Sequence, residues 1–385
     1  MIRVLSDLRI LILNASGSIG GAEERLIRIE EQFIRFGAKI NVVWGGTRPP
    51  NGLPISYFFE GRSSSLFSKT PLRNSVCFLA GILTTRLNGF RFDMIYVARE
   101  NTASLVTGFI ASRLFGKPLV LLVHHLWGDD KFSLSNMIQR RGLSGLMSLA
   151  TFFEIGKRLV YENADIVLCV SKSTADEFQV FRSKKTEVVW NGVDFEIDGL
   201  QRLDQNTNAC FVGRVRPEKG ISTLLRAWKM VTEKRHSANL TIVGEGSQNF
   251  MSTFQAEAKN LGVADKVTFT GRVSRSDLFN IIQTSKLFVL PSEQEGFSLA
   301  TLEAMSAGLP CVLSDLPALR EIYKDVAIFF PEGDYRKLAE IILDLLDNSQ
   351  LRKSLSEKGK DLAKKYSWSA VALREYQLLS KLSRS

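Results

Sequence analysis

Histidine is the scarcest chemistry-bearing residue in this sequence: only His124, His125 and His236 occur among 385 residues. None stands in an H-E-x-x-H or comparable spacing, so no dedicated zinc site is expected. Cysteine is almost as rare. Cys77, Cys169, Cys210 and Cys311 are scattered without a C-x-x-C pair, which fits reduced thiols in a cytoplasmic protein better than a disulfide scaffold. No run approaches the ~20 uninterrupted apolar residues of a membrane-spanning helix. The opening residues 1–7 hold no signal-peptide apolar segment. A dense basic tract is missing too. The formal charge of +10 is spread along the chain, which allows phosphorylated substrates or an anionic membrane surface as partners and gives no footprint for nucleic acid. Finally, the glycine-bearing stretch 17–21 lacks G-x-G-x-x-G spacing. No acidic residue closes the next apolar run near Trp44, so a dinucleotide-dependent dehydrogenase is disfavoured.

What the chain does have is length for two domains and an apolar content of 45%, enough for large cores. Short apolar runs alternate with helical patterns, the sequence form of parallel sheets with crossover helices. The first series of predicted strands covers 9–14, 40–44, 94–98, 119–123, 166–170 and 187–190, with a helix over 22–36 closed by Gly37. Residues 191–208 turn polar and read as a linker. A second series follows at 209–212, 240–243, 267–270, 287–290, 311–313 and 328–330, and the tail from Asp334 is helical. The fold class is therefore α/β, with two doubly wound, Rossmann-like domains.

The most informative stretch follows the run 287–290: Glu295-Gly296-Phe297-Ser298-Leu299, then Glu303. Glu295 is predicted in the loop beyond a strand's carboxyl end and Glu303 in the following helix. Open α/β sheets bind ligands at that edge. Amides of Phe297, Ser298 and Leu299 at a helix start suit phosphate or sugar oxygens, and carboxylates accept from hydroxyls. The pattern asks for a sugar nucleotide. Two carboxylates also suit a glycosidase, where they flank one bond ~5 to 9.5 Å apart. The adjacent phosphate-binding features argue against that reading. Arg214 and Lys219 follow the first strand of the second series and precede a helix near Gly220. Two cations so placed can neutralise a diphosphate and the charge that builds as a sugar leaves, without a metal.

These residues resemble the E-x7-E signature of the retaining glycosyltransferases of family GT4. The resemblance spans nearly the whole chain, taking in Gly20-Gly21-Ala22-Glu23, His124, Asn191-Gly192-Val193-Asp194 and the run from Phe211 through Gly213 and Arg214 to Gly220. It implies the GT-B fold, with a cleft between two Rossmann-like domains and a last helix, around 366–379, that crosses back to the first domain. The boundaries expected are 1–195 for an acceptor domain, 208–365 for a donor domain and 366–385 for the returning helix. By the same resemblance Arg214 and Lys219 grip the donor diphosphate, Glu303 meets the ribose and Glu295 the sugar hydroxyls. His124 stands beside the reacting sugar, although His125 occupies a place where many relatives have aspartate. Gly20 and Gly21 lie over the diphosphate and acceptor, and the turns holding Glu245 and Arg272 border the nucleotide base.

The catalytic candidates are thus His124, Glu295, Arg214 and Lys219. The donor-binding candidates are Glu303, Gly296, Phe297, Ser298, Leu299, Gly20, Gly21, Gly213, Glu245 and Arg272. No D-x-D motif occurs, and neither a metal nor a cofactor is expected. The implied reaction moves a sugar from a UDP- or GDP-linked donor to the hydroxyl of a glycan or lipid-linked acceptor, with the leaving phosphate helping to take its proton. Two alternatives share the fold: a sugar-nucleotide 2-epimerase, and a silent sugar-nucleotide-binding subunit. Residues 132–160 combine Leu134, Met137, Ile138, Phe152 and Phe153 with Arg140, Arg141, Lys157 and Arg158, and 76–87 is a second apolar helix. Such helices suit an anionic lipid surface, or else simply cover the first sheet. The expected location is cytoplasmic, with peripheral binding to the inner face of the membrane.

Overall fold

The computed structural model describes residues 7–16, 21–46, 54–60, 71–124, 149–179, 185–194 and 207–384. The chain divides into two units, one of Met1–Asn191 with Trp368–Ser385 and one of Gly192–Ser367.

The first unit holds β1 (Arg9–Ser16), β2 (Lys39–Gly46), β3 (Ile55–Glu60), β4 (Met94–Val97), β5 (Leu119–Val123), β6 (Ile166–Cys169) and β7 (Thr186–Val188). They form one sheet in the order β3-β2-β1-β4-β5-β6-β7, parallel throughout. Parallel strands covered on both faces read as unbroken apolar runs, and β4, β5 and β6 are buried at every position. The crossover helices are α1 (Gly21–Arg35), α2 (Pro71–Leu87), α3 (Thr102–Phe115), α4 (Leu149–Asn163) and α5 (Lys172–Phe178). The register Leu11↔Ile95 and Leu13↔Val97 sets these four side chains in one core with Phe78 and Ile82 of α2. β1 pairs with β2 on one side and β4 on the other, so the strand order reverses there and opens a crevice at the carboxyl ends.

The second unit repeats the scheme. Its strands are β8 (Thr207–Val212), β9 (Leu240–Val243), β10 (Val267–Gly271), β11 (Ser285–Leu290), β12 (Cys311–Ser314) and β13 (Ile328–Phe330). The order is β10-β9-β8-β11-β12-β13, and its switch point lies between β8 and β11, which pair through Leu287↔Ala209 and Phe288↔Cys210. Helices α6 (Ile221–Lys234), α7 (Gln248–Asn260), α8 (Arg275–Thr284), α9 (Leu299–Ser306), α10 (Pro317–Tyr323), α11 (Tyr335–Asp347) and α12 (Ser349–Lys364) complete it.

The last helix, α13 (Trp368–Leu382), belongs to the first unit and packs on α1. Aromatic edges make much of that contact, with Tyr376 at 5.3 Å from Phe33 and 5.6 Å from Phe36 between ring centroids. Beneath them a polar knot is sealed in. Arg25 Nη2 donates to Glu375 Oε2 at 2.5 Å and the Tyr96 hydroxyl to Glu375 Oε1 at 2.7 Å, with Arg25 and Glu375 both fully buried.

Each predicted strand exists, with ends displaced by a few residues. β3 is the strand that periodicity does not predict. Among the described residues it is an edge strand paired with β2 alone, with a register shift at Val42/Val43, and Ile55, Ser56 and Tyr57 are only half-buried. Neither an unbroken apolar run nor a clean alternation marks it.

Candidate functional site

Three strand ends of the second unit are locked side by side by their backbones. The Gly213 amide donates to the Val243 carbonyl and the Gly244 amide to the Gly271 carbonyl, both at 3.0 Å, and Val215 donates to Glu245 at 2.9 Å. A Cβ on Gly244 would stand 1.8 Å from the Gly213 carbonyl oxygen, so only glycine lets the two turns meet. Arg214 and Glu245 are exposed on these turns, and Arg272 approaches Glu245 to 3.9 Å. The sequence-predicted Gly213, Arg214, Glu245 and Arg272 thus line one sheet edge.

Across the switch point the turn before α6 presses on the loop after β11. Gly220 has φ 67°, and a Cβ there would lie 1.9 Å from the Pro291 carbonyl oxygen. The Glu293 amide donates to the Glu218 carbonyl at 2.9 Å. This contact sets Lys219 Nζ 2.7 Å from Glu295 Oε2, with side-chain exposures of 13% and 11%. A cation and a carboxylate, 76 residues apart in sequence, are therefore juxtaposed and mostly shielded, where electrostatic forces are screened less than at a free surface.

The loop then delivers a strained entry into α9. Ser298, with φ 68° and ψ 86°, is the one non-glycine residue of positive φ among the described residues. Such strain persists only where surrounding structure fixes it, and it concentrates at ligand sites. Here the Tyr323 hydroxyl donates to the Ser298 carbonyl at 3.1 Å, while Ser298 Oγ accepts from the Thr301 amide at 3.2 Å. Burial, with Cys311, Tyr366 and Glu295 close by, holds the Tyr323 phenol well above its ordinary range, so it remains a donor. Phe297 is buried, its ring centroid 6.3 Å from that of Tyr323 and 6.0 Å from that of Tyr366. Gly296, Phe297, Ser298 and Leu299 are thereby fixed at a helix start, where the first amides have no intrahelical acceptor. One turn on, Glu303 is 17% exposed, with Arg275 Nη1 3.7 Å from its Oε1. It is not a freely solvated helix residue.

In the first unit the site candidates also sit at strand ends. His124 directly follows β5, and its amide donates to the Glu100 carboxylate. Arg99 pairs with Glu23, which is buried in the first turn of α1 just after Gly21. Gly20, its loop 17–20 and His125 lie outside the described residues. Sequence reasoning missed Arg99 and Glu100, although two charges directly after a buried strand, ahead of the Asn101 cap of α3, carry the same signal that marked Glu295. The three buried cysteines offer no nucleophile at neutral pH: burial pushes Cys169 and Cys210 up to about 12, and Cys311 also well above its ordinary value.

Two family descriptions match adjoining parts of the chain, Glycosyltransferase Family 4 over residues 19–197 and Glycosyl transferases group 1 over residues 194–362. An uncharacterized glycosyltransferase of Methanocaldococcus jannaschii is 27% identical over 271 residues, 69% of each chain. The D-inositol 3-phosphate glycosyltransferase of Corynebacterium aurimucosum is 24% identical over 387 residues, 93% of this chain and 90% of that protein. Among solved structures, Anabaena HepE in complex with UDP-glucose matches with a TM-score of 0.77 at 20% identity, covering 97% of this chain and 100% of that one. That likeness speaks for the fold, and the family matches speak for the chemistry. With both units matched, the chain belongs to glycosyltransferase family 4 and is a glycosyltransferase of GT-B fold.

Proposed function

We propose that this enzyme moves a sugar from a nucleoside diphosphate to an acceptor hydroxyl with retention of anomeric configuration. The second unit takes the donor at the carboxyl edge of its sheet, and the first unit takes the acceptor. The carrying observation is the Lys219–Glu295 pair at 2.7 Å across the switch point, beside the amino end of α9. Lys219 and Arg214 offset the charge of the leaving diphosphate. Glu295 accepts hydrogen bonds from the sugar hydroxyls, Glu303 accepts them from the ribose, and His124 attends the reacting sugar. In transfer, the bond from C1 to the phosphate oxygen breaks and its electron pair stays on the phosphate. The acceptor oxygen bonds C1 on the same face and passes its proton to that phosphate.

The ligand in the Anabaena HepE structure, UDP-glucose, favours a uridine carrier, with a GDP-linked sugar as the other choice. The product belongs to glycan, polysaccharide or glycolipid synthesis. The test is a screen of UDP-, GDP- and ADP-sugars in EDTA, read as nucleoside diphosphate released. One nucleotide class should be turned over without loss to the chelator, because side-chain cations and helix amides meet the diphosphate charge. Release from none of them, or release that appears only on adding metal, would overturn the reading.

An anionic membrane surface is the proposed site of work. Among the described residues no helix is long and apolar enough to cross a membrane. Instead, α2 buries Phe78 and Ile82 while exposing Val76, Leu83 and Leu87, and the neighbouring α3 and α4 expose Ile110, Leu114 and Leu159. Arg86, Arg113 and Arg158 stand on the same three helices. Apolar side chains interspersed with cations suit anionic lipid. The stretch 132–148, which carries Arg140 and Arg141, lies outside the described residues. The protein is expected to sediment with phosphatidylserine vesicles at low salt, and a Leu83→Ser/Leu87→Ser/Leu114→Ser variant to remain in the supernatant. Equal partition of the two proteins would remove the membrane role from this face.

A further inference from the structure

Arg275, the first residue of α8, bridges two carboxylates that the reaction above does not connect. Its Nη2 lies 3.5 Å from Asp194 Oδ2 and its Nη1 3.7 Å from Glu303 Oε1. Below the guanidinium is the Phe279 ring, with Cζ 5.1 Å from its centroid. A planar guanidinium stacked on an aromatic ring has little rotational freedom, and its fork presents two donors in a fixed geometry. Asp194 closes the Asn191-Gly192-Val193-Asp194 stretch, for which neither the diphosphate nor the sugar provides a use. Its carboxylate draws one arm of the fork, and the other arm engages Glu303. This ion-pair contact draws Oε1 toward the guanidinium and so biases how the Glu303 carboxylate is presented.

We propose that Arg275, anchored by Asp194 and Phe279, is a positioning residue that sets the Glu303 carboxylate for the ribose hydroxyls, making the site selective for ribonucleotides over deoxyribonucleotides. This rests on the donor-site reading given above. The physical basis is that a hydrogen bond to a charged group discriminates strongly only when that group is already oriented. Arg275 is exposed enough, at 41%, for its replacement to spare the fold.

The experiment is calorimetric titration of UDP, GDP and ADP with their 2′-deoxy and 3′-deoxy counterparts. It compares the wild type with Arg275→Gln, Arg275→Lys, Asp194→Asn, Glu303→Gln and the double variant Arg275→Gln/Glu303→Gln. The wild type should bind its preferred ribonucleotide at least about tenfold more tightly than one deoxy form. Arg275→Gln should weaken the ribonucleotide toward the deoxy value while leaving the deoxy form nearly unchanged. Asp194→Asn and Arg275→Lys should do the same to a smaller extent, and the double variant should bind no worse than Glu303→Gln alone, as expected of residues acting as one unit. If Arg275→Gln keeps the wild-type preference, or weakens ribo and deoxy forms equally, the positioning role is wrong while the donor site stands. A wild type that binds nucleoside diphosphates without any ribose preference removes both the ribose role of Glu303 and this proposal. A wild type that binds none of them overturns the donor-site reading itself.

Discussion

Replacing Lys219 by alanine should lower kcat/KM for sugar transfer about 10²- to 10³-fold, because one preorganised cation facing developing charge contributes ~3 to 4 kcal/mol. The ammonium is held in place before any ligand arrives: it donates to Glu295 Oε2 at 2.7 Å and to the Gln294 carbonyl at 3.5 Å. The charge on the diphosphate rises as its bond to the sugar breaks, so most of the loss should fall on kcat and less on KM. Arg214→Ala should act in the same direction. The fold should survive, since the turn is built by backbone contacts rather than by the lysine side chain. Steady-state kinetics with an unchanged melting temperature would establish this. Near-normal turnover in both variants would remove the diphosphate from this loop.

The second large effect concerns stability. Glu375→Ala should destabilise the first unit by ~3 to 5 kcal/mol, as expected when a buried ion pair loses one partner and leaves the other charge uncompensated. For a unit of this size that is a fall in melting temperature on the order of 10 °C. Burial opposes the charge on Arg25, but the pull of Glu375 and Tyr96 outweighs it and holds the guanidinium above its ordinary value. With Glu375 gone, that support is gone and the desolvation cost stays. An apolar double replacement, Arg25→Met with Glu375→Leu, should recover most of the stability, because burying no charge costs less than burying an unpaired one. Tyr96→Phe should cost only about 1 kcal/mol, one hydrogen bond. Differential scanning calorimetry of the four proteins checks the order. A Glu375→Ala protein as stable as the wild type would show that α13 is held by its aromatic contacts alone.

These two cases mark the limits of sequence reading here. The parallel sheets were legible because buried strands must be apolar at every position, as in β5 and β6, and the Glu295–Glu303 spacing was legible because strand, loop and helix start follow one another locally. Arg25 and Glu375 are 350 residues apart, and nothing local distinguishes them from other charged helix residues. The same holds for Arg275, whose partners come from a distant loop and helix. Ser298 stood out in the sequence as a candidate at a helix start, but nothing there marked it as strained. Serine seldom enters the left-handed region, and the local capping contacts from the Thr301 and Leu302 amides are joined there by the Tyr323 hydroxyl, which tertiary structure places. β3 escaped because an edge strand needs neither burial on both faces nor strict alternation.

The central claim is transfer from a sugar nucleotide with retention, and one measurement addresses it directly. Once the donor screen identifies a substrate, proton NMR of the reaction in progress reads the coupling constant of the newly formed anomeric centre before mutarotation of any free sugar. The account predicts that an α-linked donor gives an α-linked product, with nucleoside diphosphate released in equal amount. A β-linked product from the same donor would mean inversion, and would contradict the same-face displacement built on Lys219, Glu295 and the leaving phosphate.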